Sequence, residues 1–164
     1  MSLTPRRGCR AMRLTGLALL AAFMPLSSAM AQSEGGLYIA GDAGFKFRQA
    51  AERGLAQNPG GRRFFVLAVP PQTSALKKSA TGPLAQLRDR VIAGNGVLFV
   101  CQRDIDKGRI DPAELVPGVV AVRGFPPPGS NAIPAGERYF PDEDRSRLPA
   151  SNEALRRLRA TCSS

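Results

Sequence analysis

Gly96-Val97-Leu98-Phe99-Val100-Cys101 is an apolar run with no polar interruption. Alternating polarity marks a strand with one wet face, whereas an unbroken run marks a strand covered on both faces, as in parallel sheets. Phe64-Phe65-Val66-Leu67-Ala68-Val69 has the same character and ends at Pro70-Pro71. Two shorter runs flank these: Leu37-Tyr38-Ile39-Ala40 between Gly36 and Gly41, and Val119-Val120-Ala121-Val122 after Pro117-Gly118. The segments between them carry helical signals. Phe47, Ala50, Ala51, Gly54 and Leu55 share one helical face and stop at Asn58-Pro59-Gly60-Gly61. Leu84, Leu87, Val91 and Ile92 mark a second helix ended by Gly94-Asn95-Gly96. Residues 72–83 are small and polar and read as a loop with room for a helical turn, and the charged stretch 102–110 reads as a loop. Asp111-Pro112-Ala113-Glu114 combines an N-cap acid, a first-turn proline and a glutamate, which predicts a short third helix. Strand–helix alternation with unbroken strands predicts an α/β domain with a mainly parallel sheet of four to five strands. Right-handed crossovers are expected, with helices on both faces.

The ends of the chain read differently. Arg6, Arg7, Arg10 and Arg13 precede an apolar run from Leu14 to Leu26, and Ala29-Met30-Ala31 follows. This is the three-part pattern of a cleaved signal peptide, with cleavage expected near Ala31/Gln32 and a periplasmic or secreted product. The apolar run falls short of the roughly 20 residues that a permanent span needs, so no membrane span is expected after cleavage. Residues 32–124 are expected to form the α/β domain and 125–164 an extension packed on it. In that extension, Pro126-Pro127-Pro128-Gly129 opens an irregular proline-rich stretch. A terminal helix then places Leu155, Leu158 and Cys162 on one face.

The formal charge is +10, from 23 basic and 13 acidic residues, with no histidine. Four of the arginines belong to the expected leader. No basic block with interleaved aromatics and no nucleic-acid-binding signature is present, so nucleic acid is not an expected partner. Lack of histidine removes serine–histidine and cysteine–histidine catalysis and histidine metal sites, and no metal or cofactor is expected. The residue types left for chemistry are cysteine, carboxylate, arginine, lysine and hydroxyl.

The stretch from Leu84 to Gly124 resembles the DsrE/DsrF-like family. Its pattern is a helix ending in a glycine turn, a strand running into cysteine (Gly96 to Cys101), a charged loop with glycine (Gln102 to Arg109), then Ile110-Asp111-Pro112-Ala113-Glu114-Leu115 and Pro117-Gly118-Val119 opening a strand. Leu37 to Asn58 fits the same family more loosely, and residues 125–164 do not match its usual ending. The resemblance implies a three-layer α/β/α fold that tends to form homo-oligomers. Some members carry sulfur as a persulfide on the cysteine after this strand and pass it to protein partners; here that position is Cys101.

Cys101 ends an apolar strand, and parallel sheets bind ligands at the carboxyl ends of their strands. Arg103, Lys107 and Arg109 lie in the following loop and would favour a thiolate, while Asp104, Asp106 and Asp111 oppose them. Three readings of Cys101 stand side by side: a reactive thiol, an inert buried thiol, and one half of a disulfide with Cys162. The disulfide would close a loop of about 60 residues and add about 4 kcal/mol. Asp42 and Gly44 follow the first strand and so belong to the same rim, although Gly41-Asp42-Ala43-Gly44 matches no dinucleotide or phosphate fingerprint. Asp142, Glu143 and Asp144 form a weak candidate for a cation site. Two functions follow as expectations: thiol or sulfur transfer through Cys101, or a non-catalytic, disulfide-stabilised module binding a protein partner or a small anion.

Overall fold

The computed structural model describes residues 34–41, 45–126, 140 and 143–163. Four strands form one all-parallel sheet in sequential order: β1 (Leu37–Ala40), β2 (Phe64–Ala68), β3 (Gly96–Cys101) and β4 (Val120–Val122). The register sets Leu37 beside Phe65, Phe65 beside Val97, and Cys101 beside Val122. Helix α1 (Phe47–Gln57) joins β1 to β2 and α2 (Gly82–Ala93) joins β2 to β3. A short α3 (Gln102–Asp106) starts directly after β3, and α4 (Asn152–Ser163) closes the described chain.

Side chains alternate across a strand, so each strand feeds two cores. Ala40, Phe64, Val66, Leu98 and Val100 face one side, where they pack with Phe47, Ala50 and Ala51 of α1 and Leu87 and Val91 of α2. Leu37, Ile39, Phe65, Leu67, Phe99, Cys101 and Val122 face the other, where they meet Leu148 and, from α4, Leu158 and Cys162. Phe65 and Phe99 stack there with centroids 5.9 Å apart. The architecture is therefore α/β with three layers. Both crossover helices share one face, because a sheet built in sequential order carries same-handed crossovers on the same side. The opposite face is covered by the returning C-terminal helix.

The close approach of α1 to the sheet depends on Gly54. A Cβ there would lie 2.6 Å from the Phe64 ring, inside contact distance. At α4, Gly124 plays the same part: its Cβ would lie 2.5 Å from the Cys162 carbonyl oxygen.

Several local expectations need correction. The charged stretch expected as loop opens with α3, and only 107–110 runs as turn, folded back so that the carbonyl of buried Asp104 accepts the N–H groups of Arg109 (2.8 Å) and Ile110 (3.2 Å). The helix expected after Asp111 is a single 3-10 turn, Pro112–Glu114, with Asp111 accepting from the Ala113 N–H at 2.8 Å. The helical turn that the sequence allowed within 72–83 is a 3-10 turn, Gln72–Leu76, that buries Thr73, Ala75 and Leu76. On α2, Leu84 and Ile92 are exposed, so the buried stripe is narrower than the apolar one.

Candidate functional site

Cys101 is the last residue of β3 and is fully buried. Odd-numbered residues of β3 face the α4 side, which directs its sulfur beneath that helix rather than outward from the strand end. On α4, Leu158 and Cys162 lie one turn apart and point at the sheet. The two sulfurs are bonded, with Cα atoms 5.2 Å apart and a sequence separation of 61. Of the three readings of Cys101, the disulfide is the one the structure contains.

The three basic residues of the following segment have separate fates. Arg109 donates from Nη1 to Oδ1 of Asp104 at 3.2 Å. Lys107 is exposed, and its backbone N–H closes α3 on the Arg103 carbonyl. Arg103 lies with its Nε 3.9 Å from the same Asp104 oxygen, and its buried Nε and Nη1 have no hydrogen-bond partner. Asp104 Oδ2 is likewise buried without a partner. Asp104 is thus a hub that draws two arginines and folds the chain back to Ile110. In the sequence it reads only as a charge opposing the arginines. Asp42 and Gly44 lie outside the described residues.

The acidic candidate 142–144 does not hold together as a cation site. Asp142 lies outside the described residues, Glu143 is paired with Arg159, and Asp144 caps a 3-10 turn by accepting from the Ser146 N–H and hydroxyl. Those bonds from Ser146 hold the Asp144 carboxyl below the usual aspartate range. Among the described residues no three His, Cys, Asp or Glu side chains converge. The Arg159 side chain is 7% exposed and that of Glu143 11%, and Arg159 also donates to the Arg123 carbonyl at 3.1 Å. Arg123 and Arg159 both lie over the Phe140 ring. This cluster ties the C-terminal segment to the end of β4.

Two neighbouring cavities open at the outer edge of β1, two strands away from Cys101. The larger, about 450 Å³, is lined by Leu37, Tyr38, Ile39, Phe45, Arg53 and Arg157, among others. The smaller, about 340 Å³, shares Gly36, Leu37 and Arg157 and adds Glu34 and Ser151. Neither Arg53 nor Arg157 was singled out from sequence, since both read as ordinary exposed helix positions.

No helix among the described residues is long and apolar enough to cross a membrane. The disulfide is compatible with an oxidising compartment. No family model, no curated protein and no solved structure matches the chain.

Proposed function

We propose that this chain is an exported, non-catalytic α/β binding module closed by the Cys101–Cys162 disulfide and directed at a protein partner. One observation carries the reading: the single cysteine at a strand end is fully buried and bonded to the helix that covers it. A thiol used in transfer must present a thiolate to its donor and acceptor. Here a 12-residue helix and Gly124, packed against the Cys162 carbonyl, stand over that position. Residues 1–31 are the signal peptide in this reading, and the protein is periplasmic or secreted. Counting free thiols in the protein recovered from the producing cell's exterior or periplasm tests it. The expected count is zero with an N-terminus at Gln32, and two free thiols would overturn it.

A second reading rests on the resemblance to the DsrE/DsrF-like family and on Arg103, two residues beyond Cys101, whose buried Nε and Nη1 make no hydrogen bond. A dithiol reductant would first deliver two electrons to the disulfide and become a disulfide itself. The freed Cys101 thiolate would then take the outer sulfur of a persulfide donor, releasing the donor's thiolate, before passing that sulfur to a protein partner in a homo-oligomeric assembly. Mass spectrometry after reduction and exposure to a persulfide separates the readings. A gain of one sulfur on Cys101, absent in Cys101→Ser, supports relay; no gain supports the closed module.

A further inference from the structure

β1 is an edge strand, and its outer side is built to be paired. The Phe65 N–H donates to the Gly36 carbonyl and the Val69 N–H to the Ala40 carbonyl. In a parallel ladder this directs the N–H and C=O groups of Leu37 and Ile39, whose side chains are buried, away from β2, toward the side on which no described strand pairs with them. Proteins usually blunt such an edge with lysine, proline, a bulge or a covering element. Leu37-Tyr38-Ile39-Ala40 carries neither charge nor proline, and the cavities described above run along it.

The walls of this groove define the occupant. On the α1 side stand Ala50 and Arg53, with the Arg53 guanidinium held over the Phe45 ring at 5.0 Å. On the α4 side stands Arg157, which lines both cavities; Glu34 and Glu153 also line the smaller one, each already paired, with Arg63 and Arg156 respectively. Both arginines are exposed, and neither has a carboxylate partner among the described residues, in contrast to Arg63, Arg88, Arg109, Arg156 and Arg159. Successive side chains of an added strand point to opposite faces of the sheet. One residue of such a strand would therefore meet the α1 wall and its neighbour the α4 wall.

We infer that β1 accepts an extended segment of a partner protein as a fifth strand, and that the segment carries two adjacent acidic residues, one for Arg53 and one for Arg157. Main-chain bonds to Leu37 and Ile39 supply sequence-independent affinity, and the two arginines supply selectivity. The basic excess of the chain attracts acidic partners over longer range. The inference rests on the binding-module reading and names its surface and its partner's chemistry.

The test uses the oxidised protein beginning at Gln32 and a fluorescent six-residue peptide with a central Glu-Glu pair flanked by valine and threonine. Saturable binding is expected, weakened at least about tenfold in the Arg53→Glu/Arg157→Glu double variant. A Lys-Lys peptide should show the reverse preference, binding the double variant better than the parent. Hydrogen exchange at the Ile39 amide should slow on binding, which simple charge attraction would not produce. Absence of binding, equal binding by the double variant, or binding without protection of Ile39 would overturn the inference. So would self-association of the protein through β1 that the peptide fails to compete away. The outcomes are separable from those at the disulfide: a protein with no free thiol that ignores the peptide sinks the edge inference alone, whereas two free thiols sink the module reading whatever the peptide does.

Discussion

The two faces of the sheet are covered by different means. On one, α1 and α2 lie between consecutive strands, so connectivity itself delivers them to the core formed around Phe64, Val66 and Val91. On the other, the cover is α4, which begins about 30 residues after β4 and must be brought back over Phe65, Phe99 and Val122. That face is where the chain has its disulfide, the buried Arg159–Glu143 pair and the bond from Arg147 to the Gly118 carbonyl. Magnitudes explain the asymmetry. Fixing each backbone residue of a helix costs about 1–2 kcal/mol, while burying a leucine such as Leu158 returns about 1.5–3 kcal/mol. α2 buries no more apolar side chains (Leu87, Val91) than α4 (Leu158, Cys162), so what the disulfide offsets is the long connection that α4 alone must close.

The contrast breaks most visibly if the staple is removed. The Cys101→Ala/Cys162→Ala double variant should lose about 4 kcal/mol in urea unfolding, the value for releasing a loop of this length. Amide exchange should accelerate in α4 well before it does in β2; equal acceleration in both would contradict the division into two differently held faces. Arg159→Met leaves Glu143 buried without its partner and should cost about 3 kcal/mol. A loss no greater than that of exposed Arg156→Met would contradict the role assigned to the pair. On the crossover face, Gly54→Ala drives a methyl into the Phe64 ring and should cost about 1–2 kcal/mol despite the better helix propensity of alanine. Unchanged stability there would mean that the α1 contact is looser than its geometry.

The smallest effect concerns pH. Asp144 is held below its ordinary pKa by the Ser146 hydroxyl and N–H. A carboxyl whose folded pKa is depressed contributes stability above its unfolded pKa and loses it as pH falls through the folded one. Asp144→Asn should therefore reduce stability slightly at neutral pH and leave it unchanged at strongly acidic pH. A carbon-detected titration of Asp144 with an ordinary midpoint would count against the cap.

What was legible in the sequence follows from what each signal encodes. Phe64–Ala68 and Gly96–Cys101 were readable because a strand buried on both faces admits no polar residue. The order of strands and the sharing of one face by α1 and α2 are not written in periodicity, so helices on both crossover faces were expected where one helix returns from the chain end instead. The segment after Cys101 looked like loop because Asp104 and Arg109 are charged. Nothing in their spacing announced that Asp104 would be buried with Arg109 as its partner. The disulfide stood among three alternatives because sequence places Cys101 at a strand end and Cys162 on an apolar helix face, yet only the fold brings the two faces together. Arg53 and Arg157 meet at the edge of β1 from elements about 100 residues apart, a convergence that depends on topology alone.

The central claim is that the sulfur ending β3 is closed off by the terminal helix. Proteolysis of the secreted protein without reduction, followed by mass spectrometry, tests it most directly. The account predicts one cross-linked pair of fragments containing Cys101 and Cys162, which separates on adding a reductant. Recovery of the Cys101 fragment alone, as a free thiol or carrying an extra sulfur, would contradict it.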